Sequence, residues 1–196
     1  MVARRGEFEE ALDLASRCRA IYLENGAMWP YWLFAEMEWD IKMLAGEPEA
    51  AVEILTESYE QVERMGGFPL ESAWLAQSLY AVGRFEEAER RAQAAVDAVD
   101  DALGRSAGLG ALARVRAQQG RFDEAESMAR EAASYLARTD YSTDRTWVIL
   151  DLAEVLRLAG RPKEAVDAMH EALGLFEQRE DAVSAARVRE LIEALR

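Results

Sequence analysis

One hexad recurs five times along the chain: Gly6-Glu7-Phe8-Glu9-Glu10-Ala11, Gly46-Glu47-Pro48-Glu49-Ala50-Ala51, Gly83-Arg84-Phe85-Glu86-Glu87-Ala88, Gly120-Arg121-Phe122-Asp123-Glu124-Ala125 and Gly160-Arg161-Pro162-Lys163-Glu164-Ala165. Successive glycines stand 40, 37, 37 and 40 residues apart. A nearly constant period of this length marks a repeat array, whose units bury their apolar faces only against one another. Glycine takes a positive φ without a Cβ penalty, so it ends one helix and opens a tight turn. The Phe or Pro two residues later begins the next helix, where Pro is tolerated and Phe can pack back on the helix before it. Acidic residues in the first turn suit the positive end of the helix dipole, and the Ala leaves room for close helix approach.

The flanks carry the same message. Before Gly160, Ile149, Leu152, Ala153, Val155 and Leu156 recur at helical spacing. After Gly120, Ala125, Ala129, Ala132 and Ala133 form one apolar stripe. No segment alternates as a strand does. The pattern predicts an all-α solenoid of antiparallel helix hairpins with about ten helices. It divides the chain into a half repeat over 1–25, full repeats over 26–66, 67–99, 100–138 and 139–178, and a C-terminal capping helix within 179–196.

The chain resembles the tetratricopeptide repeat (TPR) family. The family's Gly, aromatic and Ala positions are met by Gly83, Phe85 and Ala88 and by Gly120, Phe122 and Ala125. Its small residue seven before the Gly is met by Ala76, Ala113 and Ala153, preceded by Leu75, Leu112 and Leu152. Two departures stand out: the period exceeds the family's standard of about 34 residues, and Trp39 occupies the small-residue position of the second repeat. The resemblance implies a right-handed superhelix whose first-row helices line a concave binding face. Long repeats, and the stretch Leu150-Asp151-Leu152-Ala153-Glu154-Val155-Leu156-Arg157-Leu158-Ala159-Gly160-Arg161, are also similar to the C-terminal arrays of large bacterial signalling ATPases, class III cyclases and ATP-dependent transcriptional activators. That likeness implies a sensor or scaffold role in signalling.

Composition excludes other classes. A net charge of −14 repels phosphate and speaks against nucleic acid as a partner. One Cys and one His make neither an intrachain disulfide nor a zinc site, and the scarcity of cysteine points to a reducing, cytoplasmic setting. The longest apolar run, Ala27 to Ala35, is broken by Pro30 and far below the roughly 20 residues that span a bilayer, so no membrane partner is expected. Only five residues precede Gly6, too few for the first helix of that hairpin; the second helix, about Phe8 to Asn25, is therefore expected to belong to a longer chain with its partner upstream. Asp181 to Leu195 reads as an amphipathic cap, apolar through Ala182, Ala185, Ala186, Val188, Leu191, Ile192 and Leu195.

Two motifs spell chemistry that the context denies. Gly104-Arg105-Ser106-Ala107-Gly108 matches a nucleophile elbow and is followed by Asp151 and His170, but an elbow needs a preceding strand. A serine hydrolase using Ser106 remains the remote alternative. Gly108-Leu109-Gly110-Ala111-Leu112-Ala113 matches a dinucleotide fingerprint that also lacks its strand, so these glycines instead thin a helix for close packing or leave space in the groove. Cys18, seven residues after Ala11, falls at a packing position and is expected to be a buried, inert thiol. No catalytic residue, metal site or cofactor is predicted.

Binding is expected on the concave face. The residue six before each complete repeat's Gly is polar: Asp40, Gln77, Arg114 and Glu154. The same face carries Glu36, Met43, Tyr80, Arg157 and Trp147, with Trp74 among the tryptophans concentrated at Trp29, Trp32, Trp39 and Trp74. Such a surface suits a protein or peptide segment or a small effector. The alternative is self-association, with the uncovered helix Phe8 to Asn25 pairing across a two-fold axis in a homodimer.

Overall fold

Five left-handed glycines set the geometry: Gly6, Gly46, Gly83, Gly120 and Gly160 have φ between 73° and 88°. At Gly120 the turn closes with Gly120 N–H donating to the Ala117 carbonyl and Arg121 N–H reaching back to the Arg116 carbonyl, each at 3.0 Å. Gly46, Gly83 and Gly160 repeat this Schellman arrangement, which satisfies the last carbonyls of the preceding helix while reversing the chain.

The computed structural model describes residues 2–25, 31–63, 69–97, 102–137 and 142–195. Among them are ten α-helices and one short 3-10 turn, with no strand. First-row helices are α2 (Tyr31–Ala45), α4 (Pro69–Ala81), α6 (Ala102–Gln118) and α8 (Ser142–Leu158). Second-row helices are α1 (Phe8–Glu24), α3 (Pro48–Glu63), α5 (Phe85–Asp97), α7 (Phe122–Leu136) and α9 (Pro162–Gln178), and α10 (Ala182–Ala194) follows as the cap. Each first-row helix packs on the second-row helix after its glycine, and α4, α6 and α8 also pack directly on one another. The fold is an all-α helical repeat of the predicted kind.

Alanine makes this approach possible. Ala76, Ala113 and Ala153, and the hexad alanines Ala51, Ala88, Ala125 and Ala165, are fully buried. Where the small residue is replaced by Trp39, the packing changes: α2 and α4 are not in the close contact that joins α4 to α6 and α6 to α8. Trp39 fills the wider space, stacked on Trp74 with ring centroids 5.4 Å apart and planes at 24°. Its indole N–H donates to Ser78 Oγ at 2.7 Å. Gly108 serves the opposite need, since a Cβ there would stand 3.0 Å from Ala95 Cβ of α5.

Two expectations are corrected. Cys18 is exposed, not buried. At the same address of the other second-row helices, Ser58, Ala95, Ala132 and Ala172 are buried between helices. Among the described residues only the 3-10 turn precedes α1; α2 packs on one side of α1, where Tyr22 meets Phe34 with ring centroids 5.4 Å apart, and Leu14, Cys18 and Ile21 stay exposed. On α10 the buried face is narrower than predicted: Ala185, Val188 and Ile192 are buried, while Ala182, Ala186 and Leu191 are exposed, because among the described residues α10 packs closely on α9 and the 3-10 turn alone.

The 3-10 turn Ala3–Arg5 packs against both α2 and α10, so the two ends of the array meet. Asp181, fully buried, caps α10 by accepting the Ser184 N–H at 3.0 Å and receives Arg4 Nη1 on its other oxygen at 2.5 Å. Arg187 of α10 donates to the Met43 carbonyl at 3.2 Å, joining the same ends. No helix among the described residues is long and apolar enough to cross a membrane.

The turn before α10 lacks the usual glycine and places Glu180 at φ 59°. Gly120→Ala is expected to lower stability by about 1–2 kcal/mol, because nothing stands within 4 Å of a Cβ there and the cost is backbone strain alone. Glu180→Gly is expected to raise it by up to about 1 kcal/mol through relief of the same strain. Urea denaturation of the two variants checks the opposite signs.

Candidate functional site

Nine of the ten residues expected on the concave face divide into two groups. Glu36, Asp40, Trp74, Gln77 and Trp147 line one pocket of about 150 Å³, together with Arg4, Met37, Trp39, Leu103, Ala107, Leu136, Thr143, Asp144 and Val148. Tyr80, Arg114, Glu154 and Arg157 form a separate network near the C-terminal ends of α4, α6 and α8. Met43 touches neither site directly; its sulfur lies 3.8 Å from Ser78 Oγ, and its carbonyl receives Arg187. Trp29 lies outside the described residues, as does the side chain of Trp32.

The network is held together by its own members, although Arg114 Nε and Asp151 Oδ2 have no hydrogen-bond partner among the described residues. Arg114 lies 4.0 Å over the Tyr80 ring and pairs with Asp151 Oδ1 at 3.3 Å. The Tyr80 hydroxyl donates to Glu154 Oε1 at 3.1 Å and accepts from Gln118 Nε2 at 2.9 Å. Arg157 holds Glu154 with two bonds of 2.7 and 2.8 Å. Burial pushes the Glu154 pKa up, but Arg157 and the other donors outweigh it and hold it below the usual range. Asp151, which sequence reasoning left out of the groove, is 4% exposed, and burial raises its pKa against the pull of Arg114. Gly110 explains how that carboxylate fits, since a Cβ there would stand 2.3 Å from Asp151 Oδ2. These charges brace three helices more than they offer contacts to a ligand.

The pocket differs. Three tryptophans from three first-row helices, Trp39, Trp74 and Trp147, share it with the carboxylates Glu36, Asp40 and Asp144. Asp40 pairs with Arg4 at 3.6 Å. Glu36 and Asp144 make no ion pair among the described residues. Burial first, then the charges of Asp40, Asp144 and Glu71, push the Glu36 pKa up from 4.5 to about 7. Burial likewise raises Asp40 and Asp144, with Arg4 opposing at Asp40 and Arg179 at Asp144. Arg4, Trp39 and Asp144 were not singled out as site residues by the sequence. Trp39 was visible as a departure from the repeat, whereas Arg4 and Asp144 enter the pocket through the meeting of the chain's ends and the start of α8.

The chemical motifs resolve into structure. Ser106 is fully buried within α6, and its hydroxyl donates to the Ala132 carbonyl at 2.8 Å, while His170 is exposed on α9. Among the described residues no three His, Cys, Asp or Glu side chains stand close enough to hold a metal ion.

The family model for the tetratricopeptide repeat matches residues 69–137 and 106–178, together more than half of the chain. The chain belongs to the tetratricopeptide repeat family. No curated protein matches it. Among solved structures, a putative kinesin light chain with TPR-like repeats from Podosopora anserina superposes with a TM-score of 0.57 at 18% identity, covering 91% of each chain. BtubC (BKLC) from P. vanneervenii does so at 0.56 and 14% identity, covering 96% of this chain and 90% of its own. A Rap protein complexed with competence and sporulation factor reaches 0.63 at 16% identity, covering 99% of this chain and 60% of its own. TPR arrays serve as protein–protein interaction scaffolds, and these likenesses show the shared fold.

The pocket's acidity gives this TPR array a measurable signature. Glu36 binds its proton more tightly folded than unfolded, so stability falls as pH rises from about 4.5 towards 7. Glu36→Gln mimics the protonated side chain. The variant is expected to match the parent at pH 4 and to exceed it at pH 8 by on the order of 2 kcal/mol, reduced from the full shift by partial solvent exposure. Denaturation midpoints at the two pH values check the sign.

Proposed function

We propose that this TPR array is a non-catalytic binding module that captures a protein or peptide segment, or a small effector, on its concave face. The observation that carries the reading is the pocket itself, to which α2, α4, α6, α8 and the 3-10 turn all contribute side chains. Its volume of about 150 Å³ is that of a cavity taking a benzene-sized molecule, so it receives one side chain while the rest of a ligand lies across the helices outside it. The array is a sensor or scaffold part of a bacterial signalling or transcriptional regulator, a setting supported by the long repeats and by the stretch from Leu150 to Arg161. A peptide library displayed against the protein tests the reading. Selected peptides are expected to lose about tenfold or more in affinity to Gln77→Ala and Trp147→Ala, and nothing measurable to Lys163→Ala on the opposite row. Binders insensitive to both groove changes would overturn the concave-face assignment.

A second reading, self-association, has its own support. Leu14 at 42% exposure and Ile21 at 58% leave apolar side chains open on α1, beside Tyr22, whose ring packs on Phe34. Pairing these side chains with their copies in a second chain would bury them across a two-fold axis. Light scattering is expected to give a dimer that Ile21→Arg dissociates; a monomer at all accessible concentrations would rule the pairing out.

A further inference from the structure

We propose that the pocket between α2, α4, α6 and α8 is a receptor for one compact organic cation, an alkylammonium or alkylguanidinium group of the kind that ends a lysine or arginine side chain. The proposal rests on the concave-face reading above and names the chemistry of what enters there. It begins with the walls. Trp39, Trp74 and Trp147 line the cavity from three different helices, Trp39 and Trp74 as one stacked pair, and indole is the best of the aromatic side chains for a cation. The same cavity is lined by Glu36, Asp40 and Asp144, so aromatic faces and negative charge meet in one enclosed volume.

The charge there is only partly compensated, with Arg4 paired to Asp40 and the Arg179 charge opposing burial at Asp144. On the same concave face, Asp151 has Arg114, and Glu154 has Arg157 and Tyr80. Glu36 and Asp144 have no such partner among the described residues. Two cations stand at the edges. Arg4 is committed to Asp40 and Asp181; Arg179 donates to Thr146 Oγ1 at 2.7 Å and lies over the Phe176 ring, while its Nε and Nη1 have no hydrogen-bond partner among the described residues and its charge reaches Asp144 without an ion pair. Behind Glu36, Glu71 is 3% exposed and its Oε2 accepts no hydrogen bond among the described residues, which adds to the negative field. Burial is the first cause of the elevated Glu36 pKa, and the neighbouring carboxylates add to it; the carboxylate part is what an incoming cation offsets.

The donor geometry separates an organic cation from a metal ion. The carboxylates do not converge to a three-ligand cluster, so they surround a volume and do not coordinate a point. A guanidinium or ammonium group fills such a volume, taking hydrogen bonds from separated oxygens while its stem lies on the indoles. The chain itself supplies an example of the chemistry, since the Arg4 guanidinium already lines the pocket on Asp40.

The test titrates the intact protein with n-propylguanidinium, with the peptide acetyl-Gly-Ala-Arg-Ala-Gly-amide and with the same peptide carrying citrulline, reading tryptophan fluorescence and calorimetric heat. The two cations are expected to bind, and citrulline, which keeps the shape and loses the charge, to bind about tenfold or more weakly. Glu36→Gln and Asp144→Asn are each expected to weaken the cations about five- to tenfold, while Glu164→Gln on the outer row changes nothing. A peptide much tighter than n-propylguanidinium assigns the cation to a polypeptide; equal affinities assign it to a free amine or guanidine. Citrulline binding as well as arginine, or cation binding indifferent to both Glu36→Gln and Asp144→Asn, would overturn the proposal. Library peptides that bind the concave face with no basic residue and no dependence on Glu36 would sink the cation pocket and leave the groove standing. Cation binding with no peptide binder of any sequence would sink the groove reading as applied to polypeptides and leave the pocket.

Discussion

Close packing at alanine is the constraint from which the rest of the structure follows. A helix hairpin array can stack its first-row helices tightly only where the residue at the contact has almost no side chain, and Ala76, Ala113 and Ala153 meet that condition with no exposed surface. At the one first-row address where an indole stands instead, α2 and α4 lie apart. The cavity opens where the regular stacking is interrupted, and Trp39 with Trp74 forms part of its wall. A cavity is thus produced by one exception to a rule that the other repeats obey.

The same rule sorts the charges. Between α6 and α8, which pack closely, the carboxylate of Asp151 fits only because Gly110 has no Cβ, and it is buried against Arg114. Losing one member of such a pair costs several kcal/mol, since the other is left as an unpaired buried charge. Those residues are therefore fixed to one another. In the wider space beside α2, Glu36 and Asp144 are carboxyls without ion partners among the described residues, and burial raises the pKa of both. Packing distance separates structural charges from charges free to meet a ligand.

The repeat, the helix order and the turn glycines were legible in the sequence because each depends on local chemistry: a positive φ needs Gly83 or Gly120, and a close contact needs Ala88 or Ala125. The face on which Asp40, Gln77, Arg114 and Glu154 sit was also legible, since one address in a periodic fold repeats one orientation. What periodicity does not carry is which side chains meet across repeats. Arg114 and Glu154 share an address with Asp40 but are consumed by Asp151, Tyr80 and Arg157. Cys18 shares an address with buried residues yet is exposed, because burial of a repeat position is decided by its neighbour and not by its own sequence.

Arg4 ties the pocket to the closure of the array, and the relative strengths of its two bonds decide how they are coupled. Its partner Asp181 is fully buried at the start of α10, while the Asp40 side chain is 32% exposed and 3.6 Å away. Separating Arg4 from Asp181 leaves a buried carboxylate unpaired, a loss of several kcal/mol, whereas a solvent-accessible pair is worth about 1 kcal/mol or less. A cation entering the pocket therefore competes with Arg4 for Asp40 long before it disturbs Asp181. On the proposed reading the ends of the array, joined by Arg4 to Asp181 and by Arg187 to the Met43 carbonyl, would stay together while the pocket exchanges one counter-charge for another.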